Sequence, residues 1–199
     1  AYQQAVIASS NPEVPQYNQA NVLMREGNFR DAIPLLKQAL QAKADFIEAY
    51  NQLGICYAET SQYTLALDTY GKGLAINPGF AISYINRASV HKQMQELTLA
   101  KNDYLSAIKY DPEQTIAYYL IAKLYQNQDV KLAAQYFTLA NEAGVDAVEF
   151  YIDYSAFLLE QGNHQAAQRI SGQGLEKHPK NYSLLVNLAS AYGDAGEYK

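Results

Sequence analysis

The 199-residue sequence has one cysteine, no tryptophan and no long apolar run. A single cysteine cannot form an internal disulfide, so thiol usage does not indicate a compartment. No stretch approaches the roughly 18 apolar residues that a helix needs to cross a bilayer. The first residues also lack the charged and apolar regions of a secretion signal. These absences predict a chain without a transmembrane segment, soluble as given, and leave the cytoplasm and a bacterial periplasmic or outer-membrane surface as alternatives.

Basic residues are in deficit, with 15 Lys and Arg against 20 Asp and Glu and a formal net charge of −5. This balance argues against nucleic acid as a partner, because phosphate binding depends on Lys and Arg. The histidine spacing is not typical of a zinc site, and GKG at 71–73 and GQG at 172–174 lack the rest of a phosphate loop. Asp103 and Asp111 are expected at helix surfaces or helix ends. The sequence therefore predicts no enzyme activity, no metal and no cofactor.

Tyrosine is in excess, with 18 residues against 6 Phe, and several tyrosines recur at a regular interval. Tyr50, Tyr84, Tyr118 and Tyr151 follow one another at intervals of 34, 34 and 33 residues. The tyrosines thus form one column of equivalent positions in successive units. A second column holds only small residues and includes the same short interval: Ala20, Gly54, Ala88, Ala122, Ser155 and Ala189. Columns that share one irregularity indicate an internal repeat of 34 residues, with one residue missing from the fourth unit.

Each unit has the spacing of two helices. One helix face is formed in the second unit by residues at i, i+3, i+4 and i+7, namely Tyr50, Leu53, Gly54 and Tyr57. The glycines of EGNFRDA (26–32) and QGNHQAA (161–167) suit a left-handed turn between the helices. This pattern resembles the tetratricopeptide repeat (TPR). The resemblance implies an all-α fold, a right-handed α-α superhelix of about five full 34-residue hairpins plus partial repeats at both ends.

The repeat pattern divides residues 1–199, expected to form a single solenoid domain, into full units and two partial ones. The full units are 13–46, 47–80, 81–114, 115–147 and 148–181, preceded by the tail of a repeat at 1–12 and followed by a partial repeat at 182–199. We therefore hypothesise that the chain is an excerpt of a longer array. Self-association through the incomplete terminal repeats is an alternative, because three apolar residues of the last helix would need a cover: Leu185, Leu188 and Tyr192.

The single cysteine, Cys56, falls in the middle of a predicted helix. A reactive thiolate needs a nearby base or a helix N-terminus to lower its pKa. No histidine lies in the same unit, which spans 47–80. Cys56 is therefore expected to be a small core residue rather than a nucleophile.

The resemblance implies that the first helix of each hairpin lines a concave groove, which positions 2, 5, 6, 9, 12 and 13 of each unit face. Position 6 is mostly a carboxamide, whose donor and acceptor can hold the main chain of an extended peptide. A carboxamide at this position can also bridge neighbouring helices. The chaperone-type groove that grips a C-terminal carboxylate is disfavoured, because Tyr17, Ile82 and Asn86 occupy the places of its basic residues. The expected groove residues are Tyr17, Asn18, Asn21, Asn51, Gln52, Ile55, Ile85, Asn86, Ser89, Tyr119, Lys123, Asp153 and Asn187.

The leading functional interpretation is a non-catalytic scaffold that binds a protein or peptide ligand and helps to assemble a larger complex. Bacterial pilus or secretion machinery is suggested by the style of the sequence alone. The alternative is the substrate-recruiting repeat arm of a larger enzyme, such as a glycosyltransferase.

Overall fold

The computed structural model describes residues 13–194 as eleven helices joined by short turns, with no strand in that range. The helices are α1 (Glu13–Arg25), α2 (Phe29–Ala42), α3 (Ile47–Glu59), α4 (Tyr63–Ile76), α5 (Ala81–Gln93), α6 (Leu97–Tyr110), α7 (Ile116–Tyr125), α8 (Val130–Glu142), α9 (Val148–Glu160), α10 (His164–Lys177) and α11 (Tyr182–Asp194). The predicted repeat tail at 1–12 and the last five residues lie outside the described residues.

Successive helices pair into hairpins that follow the predicted units. The first helices α3, α5 and α9 begin at Ile47, Ala81 and Val148, which are the first residues of their predicted units. Each packs on the helix that follows it, α4, α6 and α10 respectively. The fourth hairpin, α7 and α8, is linked by the rings of Tyr119 and Phe137, whose centroids are 6.4 Å apart. The predicted all-α repeat of helix hairpins is confirmed.

The chain divides into two compact units, residues 1–117 and 118–199. In the first unit, α2 also packs on α3 and α4 packs on α5, while the first helices α1, α3 and α5 contact one another in sequence. In the second unit, α11 packs on both helices of the preceding hairpin, α9 and α10. That the whole chain forms one solenoid domain stays a prediction.

The two helices of a hairpin approach most closely where the first helix carries a small residue. In the second hairpin, a Cβ built on Gly54 would overlap three ring carbons of Tyr70, a residue of α4. The Tyr70 side chain is 1% exposed, so its ring cannot move into solvent. The equivalent large residues of neighbouring hairpins, Leu36, Tyr104 and Phe137, are buried as well. The small residue at position 54 therefore limits the distance between the two helices of this hairpin.

The close contact at Gly54 predicts whether substitution by alanine raises or lowers the stability of the protein. Gly54→Ala should destabilise the protein by about 2 kcal/mol, because overpacking a rigid core costs more than the helix propensity that alanine adds. The matched control is Gly71→Ala in α4, where a Cβ would meet no atom within 4 Å. That variant should be stabilised by about 0.5–1 kcal/mol. Urea unfolding followed by circular dichroism measures both, and equal effects of the two substitutions would contradict the packing argument.

The turn inside each hairpin places one residue in the left-handed region. Gly27 and Gly162 have φ of +79° and +69°, which confirms the predicted role of these glycines. The same place in the second and third hairpins is taken by Ser61 and Gln95, with φ of +60° and +62°. A side chain with a Cβ is strained in this region, by roughly 1–2 kcal/mol. Two of the turns thus carry backbone strain that glycine would remove.

Ser61→Gly should stabilise the protein by about 1 kcal/mol, since it relieves the strain at positive φ and the gain exceeds the entropy that glycine adds to the unfolded chain. Gly27→Ser is the reciprocal control at the equivalent turn, where a Cβ would meet no atom within 4 Å. It should destabilise by a similar amount. The midpoints of thermal unfolding should move in opposite directions, and a shift of the same sign in both variants would refute the explanation.

The third hairpin has a partly buried ion pair, formed by an arginine at a position where the second hairpin has a leucine. Arg87 occupies the position of Leu53 and donates to both carboxylate oxygens of Asp103, with N–O distances of 2.8 and 2.6 Å. Asp103 is 6% exposed, so the expectation that it lies on a helix surface is wrong. The bidentate pair compensates the cost of burying the two charges. Asp111, by contrast, lies at the end of α6 as expected, where it accepts from the backbone N–H of Glu113.

The fifth hairpin lacks the aromatic residue of its second helix and has Ser171 in its place. The serine is fully buried, and its hydroxyl has no hydrogen-bond partner among the described residues. The buried aromatic rings of α9, Phe150 and Phe157, pack instead on Tyr119 and Phe137 of the preceding hairpin, with centroid distances of 5.8 and 5.0 Å.

Candidate functional site

The expected groove residues lie on the first helices of the hairpins. Those of the first unit are on α1, α3 and α5, and those of the second unit are on α7, α9 and α11. Apart from Ser89, which donates within its own helix, their side chains fall into two classes. One class is hydrogen-bonded between successive first helices, and the other has no polar partner among residues 13–194.

In the first unit, Asn51 belongs to the hydrogen-bonded class. Its Oδ1 atom accepts from Ser83 Oγ at 3.0 Å and from Asn86 Nδ2 at 2.9 Å, and both donors are on α5. Asn51 is only 7% exposed. The expectation that Asn51 faces an open groove is therefore wrong, because two donors of the next first helix converge on its carbonyl oxygen. Ile85 of α5 is buried to the same degree, so it contributes to the core rather than to an accessible surface.

In the second unit, Asp153 of α9 is shared by two donors of α7. Its Oδ2 atom accepts from the Tyr119 hydroxyl at 2.5 Å and from Lys123 Nζ at 2.6 Å. Burial raises the pKa of Tyr119, and the hydrogen bond and negative charge of Asp153 raise it further. Tyr119 is itself buried, again contrary to its expected place on the groove surface. These three side chains form an internal contact between first helices.

Asn187 on α11 makes the same kind of connection to the preceding hairpin. Its Nδ2 atom donates to the backbone carbonyl of Ile152 at 3.1 Å and to Ser155 Oγ at 2.9 Å. Asn86, Asp153 and Asn187 all occupy position 6 of their units, and each reaches position 5 of the preceding one. Of the two roles that the sequence left open for this column, bridging of neighbouring helices is the one that these three residues have.

A second set of groove residues keeps its polar groups available. Asn18 is exposed, Asn21 and Gln52 are half-buried, and none of the three side chains has a hydrogen-bond partner among the described residues. Ile55 is half-buried on α3, and Ser89 donates to the backbone carbonyl of Ile85 at 3.1 Å. The accessible carboxamides are thus concentrated on α1 and α3, in the first unit.

A cavity of about 350 Å³ lies beside these carboxamides, lined by Asn21, Met24, Arg25, Phe29 and Gln52. We call it the α1–α3 pocket. Met24 and Phe29 pack against the core and form its apolar part. Sequence reasoning had not singled out Met24, Arg25 or Phe29. Met24 and Arg25 stand at positions 12 and 13 of their unit, which were expected to face the groove, so the repeat pattern could have identified both residues. Phe29 is the first residue of α2 and stands at none of the positions expected to face the groove.

Of the three apolar residues expected to lack a cover on the last helix, Leu185 and Tyr192 are 46% and 42% exposed, and Leu188 is half-buried. Tyr182, at the start of α11, is 79% exposed. Whether a second chain covers this face stays a prediction.

No helix in residues 13–194 has the length and apolarity to span a membrane. Within the same range, no three His, Cys, Asp or Glu side chains are grouped so that they could hold a metal ion.

Cys56 is a core residue, as the sequence predicted. Its side chain is fully buried, and burial raises the pKa of the thiol from its ordinary 9.0 to about 12. A backbone hydrogen bond lowers this pKa by less than burial raises it, and the negative charge of Glu59 raises it by a smaller amount. The thiol is therefore protonated at neutral pH and is not a nucleophile.

The raised pKa of Cys56 predicts how stability depends on pH. Above pH 9 the thiol ionises in the unfolded state but stays neutral in the folded state, so the free energy of unfolding should fall as pH rises towards 12. Wild type should lose up to about 1.4 kcal/mol per pH unit more than Cys56→Ala in this window. Because both proteins contain the same tyrosines, the difference between their two slopes of unfolding free energy against pH removes the contribution of tyrosine ionisation. Parallel slopes, or rapid reaction of the native thiol with a disulfide reagent at pH 8, would contradict the burial argument.

Comparison with known proteins places this architecture in a described family. Residues 17–79 and 85–146 match the family model described as tetratricopeptide repeat, which together is more than half of the chain. The protein ycf37 of Guillardia theta is 33% identical over 90 residues, which is 45% of this chain and 49% of that protein. An Arabidopsis thaliana protein, the UDP-N-acetylglucosamine–peptide N-acetylglucosaminyltransferase SPINDLY, is 31% identical over 111 residues, 54% of this chain and 12% of that one. The chain thus spans about half the length, or less, of these curated relatives.

Among solved structures, the chain is similar to YrrB, described as a TPR protein with an unusual peptide-binding site. The TM-score is 0.62 at 18% identity, and the likeness covers 93% of this chain and 96% of that one. At this identity the similarity shows the fold alone. None of these three relatives is named for pilus assembly or secretion, so the pathway suggested by sequence style gains no support from them.

Proposed function

The chain belongs to the tetratricopeptide repeat family of protein–protein interaction scaffolds, and we propose that it binds an extended segment of a partner protein on the accessible face of α1 and α3. The binding groups in this proposal are the carboxamides of Asn21 and Gln52 and the apolar surface of Met24 and Phe29. The proposed role is non-catalytic, and the buried, protonated thiol of Cys56 has no part in it.

This proposal rests on one observation: carboxamides without a hydrogen-bond partner among the described residues line a cavity. A peptide main chain presents alternating N–H and C=O groups, so its binding needs side chains that still have donors and acceptors to offer. Asn86, Asp153 and Asn187 already use theirs between first helices. Asn21 and Gln52 do not, and both line the α1–α3 pocket.

The size of the pocket also favours a peptide. About 350 Å³ is near the lower end of the range for ligand pockets, roughly 300–1,000 Å³. Such a volume accommodates one or two side chains of an extended segment rather than the face of a helix. YrrB, which has the same fold, is described as having a peptide-binding site, so the fold is compatible with a peptide ligand.

A second candidate function is the substrate-recruiting repeat arm of a larger enzyme. The similarity to SPINDLY, a protein named as a glycosyltransferase, favours this candidate. A further relative, the protein O-mannosyl-transferase TMTC3 of Homo sapiens, is 24% identical over 187 residues, which is 90% of this chain and 20% of that protein. A sugar-transferase domain encoded beside these repeats in the complete gene would support the candidate, and its absence there would remove it.

The peptide proposal can be tested by selection from a displayed library of random 12-residue peptides. Peptides that wild type selects should bind Asn21→Ala/Gln52→Ala about tenfold more weakly, because two hydrogen bonds to the main chain are lost. The matched control is Gln41→Ala/Asn102→Ala, which removes one Gln and one Asn that are exposed on second helices. It should bind as wild type does.

Circular dichroism melting of both double variants provides the folding control. Unchanged peptide affinity in a folded Asn21→Ala/Gln52→Ala variant would refute the assigned surface. Failure of wild type to select any peptide would refute peptide binding by this chain altogether.

A further inference from the structure

The α1–α3 pocket has a single charged lining residue, Arg25. It belongs to the last turn of α1, and its side chain is exposed. Several other basic side chains form ion pairs with carboxylates of the same chain, but Arg25 has no such partner among residues 13–194. The adjacent carboxylate of Glu26 accepts from Asn28 Nδ2 at 3.4 Å. Arg25 thus presents an uncompensated guanidinium beside an apolar cavity in an acidic protein.

We propose that this pocket selects an internal peptide segment in which an apolar residue stands next to Asp or Glu. The proposal rests on the peptide-binding function proposed above and specifies the chemistry of the ligand. The apolar side chain lies on Met24 and Phe29, and the neighbouring carboxylate pairs with Arg25. The carboxamides of Asn21 and Gln52 hold the main chain between these two contacts.

The apolar contact depends on the way in which Met24 and Phe29 are fixed. Both pack against the buried cluster of the first two hairpins while remaining partly accessible. Phe29 is held at the first position of α2, next to the turn at Gly27. Met24 has a flexible thioether chain that adapts to different apolar shapes. The pocket should therefore accept several large apolar side chains and discriminate mainly through the charge beside them.

The net charge of −5 opposes an acidic ligand at long range, and Arg25 attracts it at contact. At physiological ionic strength, charges separated by more than about 8 Å are largely screened in solvent. The local guanidinium, which can donate two parallel hydrogen bonds to one carboxylate, then determines the preference. A basic residue at the same place in the ligand would be repelled by Arg25 without gaining a compensating partner from the pocket lining, which contains no carboxylate.

The experiment uses the same displayed library of random 12-residue peptides, fused at their C-termini to the coat protein. The fusion leaves no free C-terminal carboxylate, so any acidic preference must come from side chains. Wild type, Arg25→Gln and Arg25→Glu are compared. The control is Arg30→Gln, which removes an exposed arginine of the same hairpin that does not line the α1–α3 pocket.

Wild type and Arg30→Gln should both enrich Asp and Glu beside an apolar residue, and Arg25→Glu should enrich Lys and Arg there. The best wild-type peptide should bind Arg25→Gln roughly 1.5-fold to fivefold more weakly, the range for an exposed ion pair. The same acidic preference in Arg25→Glu, or no acidic preference in wild type, would overturn the inference.

The two proposals fail in distinguishable ways. If wild type selects peptides whose binding needs Asn21 and Gln52 but which show no acidic preference, the peptide-binding function stands and the inference about Arg25 is refuted. If wild type selects no peptides, both are refuted. Melting curves of the Arg25 variants should stay close to that of wild type, because this exposed side chain has no partner among the described residues.

Discussion

The close approach of two helices at a small residue is the constraint on which each hairpin depends. At Gly54 a single methyl group would overlap the buried ring of Tyr70, so the volume of one residue determines how far apart α3 and α4 lie. A hairpin of this size cannot bury its apolar face alone, and it gains stability by packing on its neighbours. Glycine or alanine at this place thus has a consequence beyond its own hairpin, because the next hairpin packs on the surface that the pair creates.

Hydrogen bonds between successive first helices add a second, directional contact to this packing. Asn86, Asp153 and Asn187 connect to the preceding first helix through different chemistry, respectively an amide, a shared carboxylate and a backbone carbonyl. Bonds of this kind are satisfied and partly buried, so breaking one leaves a polar group without a partner. The polar column of the repeat is thus largely structural in these hairpins, and side chains that serve this role have little left to offer a ligand.

The proposed function depends on the polar side chains that form no hydrogen bonds between helices and are therefore available to a ligand. Asn21, Gln52 and Arg25 have no polar partner among the described residues, and all three line one cavity together with the apolar Met24 and Phe29. A repeat protein built from similar units can therefore concentrate binding in a few of them. The strained turns at Ser61 and Gln95 and the partly buried Arg87–Asp103 pair indicate, likewise, that hairpins of one fold differ in what each contributes to stability.

The sequence by itself determined the helix hairpins, the small residues at the helix contacts and the core position of Cys56, because all of these depend on local periodicity and on residue volume. It also indicated which positions of the first helices belong to one face. Only the tertiary structure decided that Asn51 and Tyr119 are buried, that Asp103 pairs with Arg87, and that Met24, Arg25 and Phe29 line a cavity. Periodicity assigns a residue to a helix face, but the hydrogen bonds and burial of that residue depend on side chains about one repeat away in sequence or on another helix, and these come into contact only when the hairpins pack.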